Sequence, residues 1–323
     1  SGAFGVLASR YQDMSAVQVR EVLLTTANHK NADGTDMEGW ANVDKSTPAE
    51  GEVSDRMGWG VPDLEKGMYG LGQTLGKFDY NLRSELDVWS NDISQVALDQ
   101  RYREDIAWLK SVTEDGTIDG KVVVSDNPDD YKLTNTSTGA ANADGKDHNY
   151  DLAGIEDKNI TLEDAKKWRL EYYEKRAAAI RDKINNGLYN GSIVKRGEGT
   201  LVMTGNNTYR GGTTVEGGTL LGFAESFGVT GDKAQATANG KVTVNGGTFG
   251  LLATYNDQFT MKGEQKHDEA AGHSVDVVVN AGGTFQITAG QDVTMGKLEF
   301  KEGAGFTVGS EDVDVLKEAY AGK

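Results

Sequence analysis

From Gly191 onward the sequence keeps returning to one short pattern: an alternating apolar stretch, a pair of glycines, then threonine and an apolar or aromatic residue. The units read Gly217-Gly218-Thr219-Leu220, Gly246-Gly247-Thr248-Phe249 and Gly282-Gly283-Thr284-Phe285, with a weaker echo at Gly303-Ala304-Gly305-Phe306. One such unit cannot bury its apolar face alone, so successive units must stack and share a continuous core. The expected architecture is a parallel β-helix, with glycines at the sharp corners, threonine and valine in the strands and asparagines laddering at the turns. Spacing between units is irregular, which predicts that segments such as 256–273 loop off one rung.

Composition supports placed glycines. The chain has 42 glycines and only 3 prolines in 323 residues, whereas linkers and disordered tracts are usually rich in both. A formal net charge of -17 repels a phosphate backbone and excludes nucleic acid as a natural partner. There are no cysteines, so neither a disulfide framework nor a thiolate metal site is possible. No run of about 18 apolar residues offers a membrane-crossing helix. Length gives room for two domains.

Ahead of the repeats the period is helical. The chain opens on Ser1-Gly-Ala-Phe-Gly-Val-Leu, a small-residue helix whose start carries no capping turn, as though cut within a helix. Residues 15–27 read as a helix with a capping box at Ser15 and Gln18, a staple of Met14 on Val19, and Val19, Val22, Leu23 and Ala27 on its buried side. The polar segment 28–57 reads as a long surface loop, and a short helix is expected at Asp63 behind Pro62. A further helix spans 161–186, started by Thr161 with Asp164 and carried by Leu162, Ala165, Tyr173, Ala177, Ile180 and Ile184. The polar stretch 134–151 reads as loop or disorder.

Three resemblances lie along the chain in order. The opening helix, Met14-Ser15-Ala16-Val17-Gln18-Val19, Thr25-Thr26-Ala27 and Gly58-Trp59-Gly60-Val61-Pro62-Asp63 resemble the end of a subtilisin-like serine protease domain. Asp87-Val88-Trp89-Ser90-Asn91-Asp92-Ile93, followed by Ala97-Leu98-Asp99-Gln100-Arg101, resembles the connecting segment of protease passengers of bacterial autotransporters. The stretch 199–220 resembles the passenger-associated repeat of autotransporters. They imply a mixed fold: an α-rich C-terminal remnant of a subtilisin-like α/β domain over 1–82, a helical connector over 83–190, a parallel β-helix over 191–309 and a tail over 310–323. They also imply a fragment of a secreted or cell-surface serine endopeptidase of a Gram-negative bacterium, beginning just after the nucleophile motif. Its partners would be the missing N-terminal protease segment, a C-terminal translocator barrel and, through the parent, a protein substrate. The alternatives are an autotransporter stalk or adhesin without protease activity, and a β-helical polysaccharide-degrading enzyme.

No residue stands out as catalytic, cofactor-binding or metal-ligating. A protease triad is brought together by the fold, yet none of the four histidines, His29, His148, His267 and His273, matches the family's histidine motif. His29 follows a helix at its C-terminal end, where a cation favours the dipole. The acidic loop 31–38 offers oxygens for calcium, but setting Gly34 at the obligatory turn of an EF-hand puts His29 and Trp40 at ligand positions, so it reads as a solvated turn. Gly70-Leu71-Gly72-Gln73-Thr74-Leu75-Gly76 lacks the strand and βαβ unit of a dinucleotide site. Asp129 and Asp130 are adjacent, and adjacent side chains on an extended loop point apart, unlike a glycosidase pair. Trp59, Trp89 and Trp168 are expected to be buried. No cofactor is implied.

Overall fold

The computed structural model describes residues 1–83, 85–131, 133–134, 149–150, 161–231, 238–252, 271–288 and 293–309. It divides into two compact units, Ser1–Gln100 with Gly187–Lys323, and Arg101–Asn186.

The first unit begins with helices α1 (Gly2–Arg10), α2 (Ala16–Thr25) and α3 (Leu64–Gly67). Serine and glutamine start α2 as expected: Ser15 Oγ accepts from the Gln18 amide and the Gln18 side chain accepts from the Ser15 amide. Asp63 caps α3 by accepting from the Lys66 amide at 2.9 Å. Strands β1 (Lys77–Asn81) and β2 (Leu86–Trp89) follow, before helix α4 (Val96–Ser111) carries the chain into the second unit.

That second unit contains a short antiparallel pair, β3 (Leu133–Thr134) and β4 (Asn149–Tyr150), and the 24-residue helix α5 (Leu162–Asn185). Thr161 and Asp164 form the capping box that the sequence predicts. Leu109, Val112, Val122, Ala177 and Ile180 make its core. Trp108 meets Tyr173 edge-on at 5.4 Å, and the Arg176 guanidinium lies 4.0 Å from the Trp108 ring centre.

Back in the first unit, strands alternate between two sheets: β5 (Ser192–Arg196), β6 (Thr200–Met203), β7 (Thr213–Val215), β8 (Thr219–Gly222), β9 (Gly240–Val244), β10 (Gly247–Leu251), β11 (Val275–Val279), β12 (Gly283–Thr288), β13 (Leu298–Phe300) and β14 (Gly305–Gly309). One sheet has the order β1-β5-β7-β9-β11-β13 and the other β14-β12-β10-β8-β6-β2. Every pairing within them is parallel, so consecutive strand pairs form six stacked rungs of a parallel β-helix.

Parallel registry puts like positions above one another, and side chains on one strand alternate between faces. Inward columns result, running Tyr80, Lys195, Val215, Val244, Val279 and Phe300 in one sheet. In the other they run Asp87, Leu201, Leu220, Phe249, Phe285 and Phe306. The buried core continues from these columns into Leu7, Tyr11, Val19 and Val22 of α1, α2 and the turn between them, so the helices close the β1 end of the stack. Gln18 Nε2 donates 2.6 Å to the Asp79 carbonyl, satisfying an edge group of β1.

Glycine is required at the corners because rungs touch there. Gly218 sits at φ +63, and a Cβ on it would lie 2.2 Å from the Gly197 carbonyl oxygen; one on Gly247, at φ +65, would lie 2.4 Å from that of Gly218.

The β-helix therefore begins at Lys77, not after Gly191. Residues 77–89 form a rung whose partner strands follow the second unit in sequence, and the turn between β1 and β2 carries no Gly-Gly-Thr signal. Of the expected connector, only Arg101–Asn186 separates as a unit of its own. Trp89 is fully buried, Trp59 is half-buried, and Trp168 is 47 % exposed, against the expected burial. Its position on α5 faces away from the side occupied by Ala165, Ala177 and Ile180. The tail 310–323 and most of segments 134–151 and 256–273 lie outside the described residues.

Candidate functional site

The passenger-like segment and the capped end of the stack both bury polar groups. At the end, Asp87 occupies an inward position of the first rung and is 2 % exposed. Burying a carboxylate is costly unless it is paired and hydrogen-bonded. Arg10 of α1 pairs with Asp87 through Nη2, Tyr80 Oη donates at 2.7 Å and Trp89 Nε1 at 3.1 Å. Burial lowers the Arg10 guanidinium, but attraction to Asp87 outweighs this and holds it above its usual range. Burial, reinforced by Asp87, pushes the Tyr80 phenol well up, so it stays a neutral donor. Tyr11 Oη donates 2.6 Å to the Gly67 carbonyl and accepts from the Gly70 amide at 2.8 Å. Tyr80 stacks on Trp89 with centroids 5.1 Å apart.

Two polar side chains tie the next rungs together. Lys195 is fully buried on β5; its Nζ donates to the carbonyls of Arg196 at 2.7 Å, Gly197 at 2.9 Å and Gly217 at 3.1 Å. Burial pushes this ammonium down to about 8. Asn207, also fully buried, accepts from the Ile93 amide at 2.7 Å and donates to the Ser226 carbonyl at 2.7 Å, joining three successive rungs. Outside, an amide ladder climbs the corners: Asn280 Nδ2 donates 2.8 Å to Asn245 Oδ1, and Asn245 Nδ2 donates 3.0 Å to Glu216 Oε1. The expected asparagine ladder is present at these turns.

Gln95 joins the two stretches of chain that lead to and from the second unit. Its Oε1 accepts from the Gly191 and Arg210 amides at 3.0 and 2.9 Å, and its Nε2 donates to the Tyr189 carbonyl at 3.0 Å. Arg210 then grips Asp99 with both terminal nitrogens, at 2.9 and 2.5 Å. The Gln95 contacts hold backbone groups in place, and the Arg210–Asp99 pair fastens α4 to the turn after Tyr209.

The residues weighed for chemistry are not gathered into one place. His29 stacks on Trp40 at 4.0 Å, with Nδ1 3.0 Å from Asp36 and Nε2 3.7 Å from Glu50, so its partners are loop groups rather than a helix end. His273 Nε2 lies 2.9 Å from the Glu225 carbonyl oxygen. His148 and His267 lie outside the described residues. In the acidic loop, Asp33 accepts from the Thr35 hydroxyl and amide, and Asp36 binds Lys30 Nζ at 2.6 Å; these bonds hold both carboxyls below their usual range. A Cβ on Gly70 would lie 2.4 Å from Trp89 Cγ and one on Gly72 2.0 Å from the Thr25 carbonyl oxygen, so these glycines permit close packing of cap on rung. Asp129 and Asp130 lie in a short 3-10 turn and are exposed.

Asp87, Lys195 and Asn207 were absent from the sequence candidates. A parity signal existed for Lys195, which stands two residues after Ile193 and so shares its inward face.

Residues 193–221 match the family described as Passenger-associated-transport-repeat. No curated protein matches the chain. The matched residues form the second and third rungs, from Ile193 on β5 to Leu221 on β8. Repeat and β-helix together support an autotransporter passenger region, of the kind displayed on or released from the cell surface. Among the described residues, no helix is long and apolar enough to cross a membrane.

Proposed function

We propose that this chain is the trailing part of an autotransporter serine endopeptidase. The elements up to the short helix at Asp63 descend from the end of a subtilisin-like domain, and the rungs from Lys77 onward form the stalk on which that domain is carried. The stalk part rests on one observation: the matched repeat occupies two consecutive rungs of a six-rung parallel stack. The peptidase part rests on the order of elements resembling the close of such a domain: a capping-box helix, a long loop, the Gly58-Trp59-Gly60 turn and a short helix at Asp63. On this reading the chain supplies scaffold and no member of a catalytic triad. Its partners are the catalytic portion and the translocator barrel of the same parent, and it is exposed outside the cell. A fluorophosphonate probe added to the purified chain is expected to leave every serine unlabelled; stoichiometric labelling of one serine overturns the scaffold role. Protease shaving of intact cells is expected to release peptides of residues 187–309, and their retention by the shaved cells overturns the location.

A second reading, a stalk or adhesin in which the helices serve only as an end cap, is favoured by the single core running from Leu7 into Phe285. The reading frame upstream separates the two: a Gly-Thr-Ser nucleophile motif supports the peptidase, and its absence supports the stalk.

A further inference from the structure

Lys195 is the one cation that the described inward columns of the stack contain. The equivalent inward positions of the following rungs are Val215, Val244 and Val279. Its ammonium has three N–H groups and three acceptors, and all three are backbone carbonyls. Two belong to the corner that follows Lys195 itself; the third, at Gly217, belongs to the corner of the next rung. Ionisable groups around it are Tyr80 beside it in the inward column, Asp79 and Arg196 paired with each other at 2.7 Å, Glu198 in its own corner, and Glu216, which is engaged by Asn245. Among the described residues none of these carboxylates lies within ion-pairing distance of Nζ, so no anion holds the proton in place. A buried lysine in that position gives up its proton more readily than one in water.

We propose that Lys195 is a proton-controlled tie between two rungs: as an ammonium it holds both corners, and as an amine it releases the Gly217 carbonyl and frees the second corner while the stack stays folded. The amine has only two N–H groups, and the bonds within its own turn are the shorter ones at 2.7 and 2.9 Å, so the 3.1 Å bond across rungs is the one given up. Gly217 stands between the two amides that anchor that corner, Glu216 donating to the Lys195 carbonyl at 2.9 Å and Thr219 to the Gly199 carbonyl at 3.1 Å. The corner one rung on supplies an internal control. Its amides, Asn245 and Thr248, donate to the Val215 and Gly218 carbonyls at 2.9 and 2.8 Å, with valine in place of lysine beneath.

Amide exchange followed by mass spectrometry between pH 7 and 9.5, divided by the intrinsic rate at each pH, tests the tie. Protection at Glu216 and Thr219 is expected to fall about five-fold, the factor carried by one ordinary hydrogen bond, while protection at Asn245 and Thr248 holds. In Lys195→Arg, which keeps its charge throughout this range, the fall is expected to vanish. Equal behaviour of the two corners in the native protein overturns the proposal without recourse to any variant, and so does a fall that persists in a folded Lys195→Arg.

Discussion

Replacing Asp87 by alanine puts the junction of cap and first rung under direct strain. Asp87 is the shared acceptor for Arg10, Tyr80 and Trp89, and its side chain is 3 % exposed against 18 % for Arg10. Removing one member of a buried ion pair typically costs about 3–5 kcal/mol, because the other charge stays behind. The Tyr80 hydroxyl and the Trp89 indole N–H would lose an acceptor as well, each in a setting where an orphaned donor costs about 1–3 kcal/mol. These costs overlap, and Arg10 retains some water, so the expected loss is about 4 kcal/mol. Asp87→Asn keeps one acceptor oxygen but not the charge and should lose about half as much. The double change Arg10→Met with Asp87→Leu removes charge and partner together and should recover most of the loss. Urea denaturation followed by tryptophan fluorescence reads all three, since Trp89 sits within the network. The reasoning is refuted if Asp87→Ala costs less than about 1 kcal/mol, or if the double variant is no more stable than the single one.

Phe249→Ala, in the middle of an inward column and fully buried between Phe227 and Phe285, should cost about 3–5 kcal/mol in the same assay. Gly72→Ala should destabilise strongly, because its Cβ would fall 2.0 Å from the backbone oxygen of Thr25; a melting temperature within a degree of the native one contradicts the close packing of cap and rung. Thr161→Ala removes the start of α5 and should cost about 1 kcal/mol, read as faster amide exchange in its first turn. Lys195 gives a pH dependence. Its folded value of about 8 lies below the ordinary 10.5, so between them the unfolded chain holds a proton that the folded one has lost, and stability rises with pH. The rise has a ceiling of about 3 kcal/mol and should be missing from Lys195→Met, measured by denaturation midpoints from pH 7 to 10.

What the sequence made legible was local. The capping boxes at Ser15 with Gln18 and Thr161 with Asp164 involve residues three apart, and both form as read. Gly-Gly-Thr corners are legible because a backbone oxygen of the rung beneath lies where a Cβ would fall, which only glycine tolerates. The first rung is not legible in the sequence because Lys77–Asn81 and Leu86–Trp89 pair with strands beyond the whole second unit, and nothing in their own residues names that partner. Asp87 and Lys195 were hidden for a related reason. Polar residues within short apolar runs read as outward-facing; parity with Ile193 puts Lys195 on the inward face, but the partners that make a buried charge tolerable come only from the cap helix α1 for Asp87 and from the neighbouring corners for Lys195. Trp168 illustrates the opposite error, a large aromatic side chain assumed to be buried on its type alone.

The central claim is that residues 77–89 form a rung in parallel register with the passenger repeat. The chain has no cysteine of its own, so Lys77→Cys with Ser192→Cys, residues paired across β1 and β5, gives an unambiguous reading. Neighbouring strands lie about 4.8 Å apart, within reach of a disulfide. Oxidation of the folded double variant is expected to close an intramolecular bond, visible as a mobility shift that reductant reverses. A pair that stays reduced in the folded protein, while cysteines placed across β7 and β9 at Thr213 and Val242 do close, would contradict it.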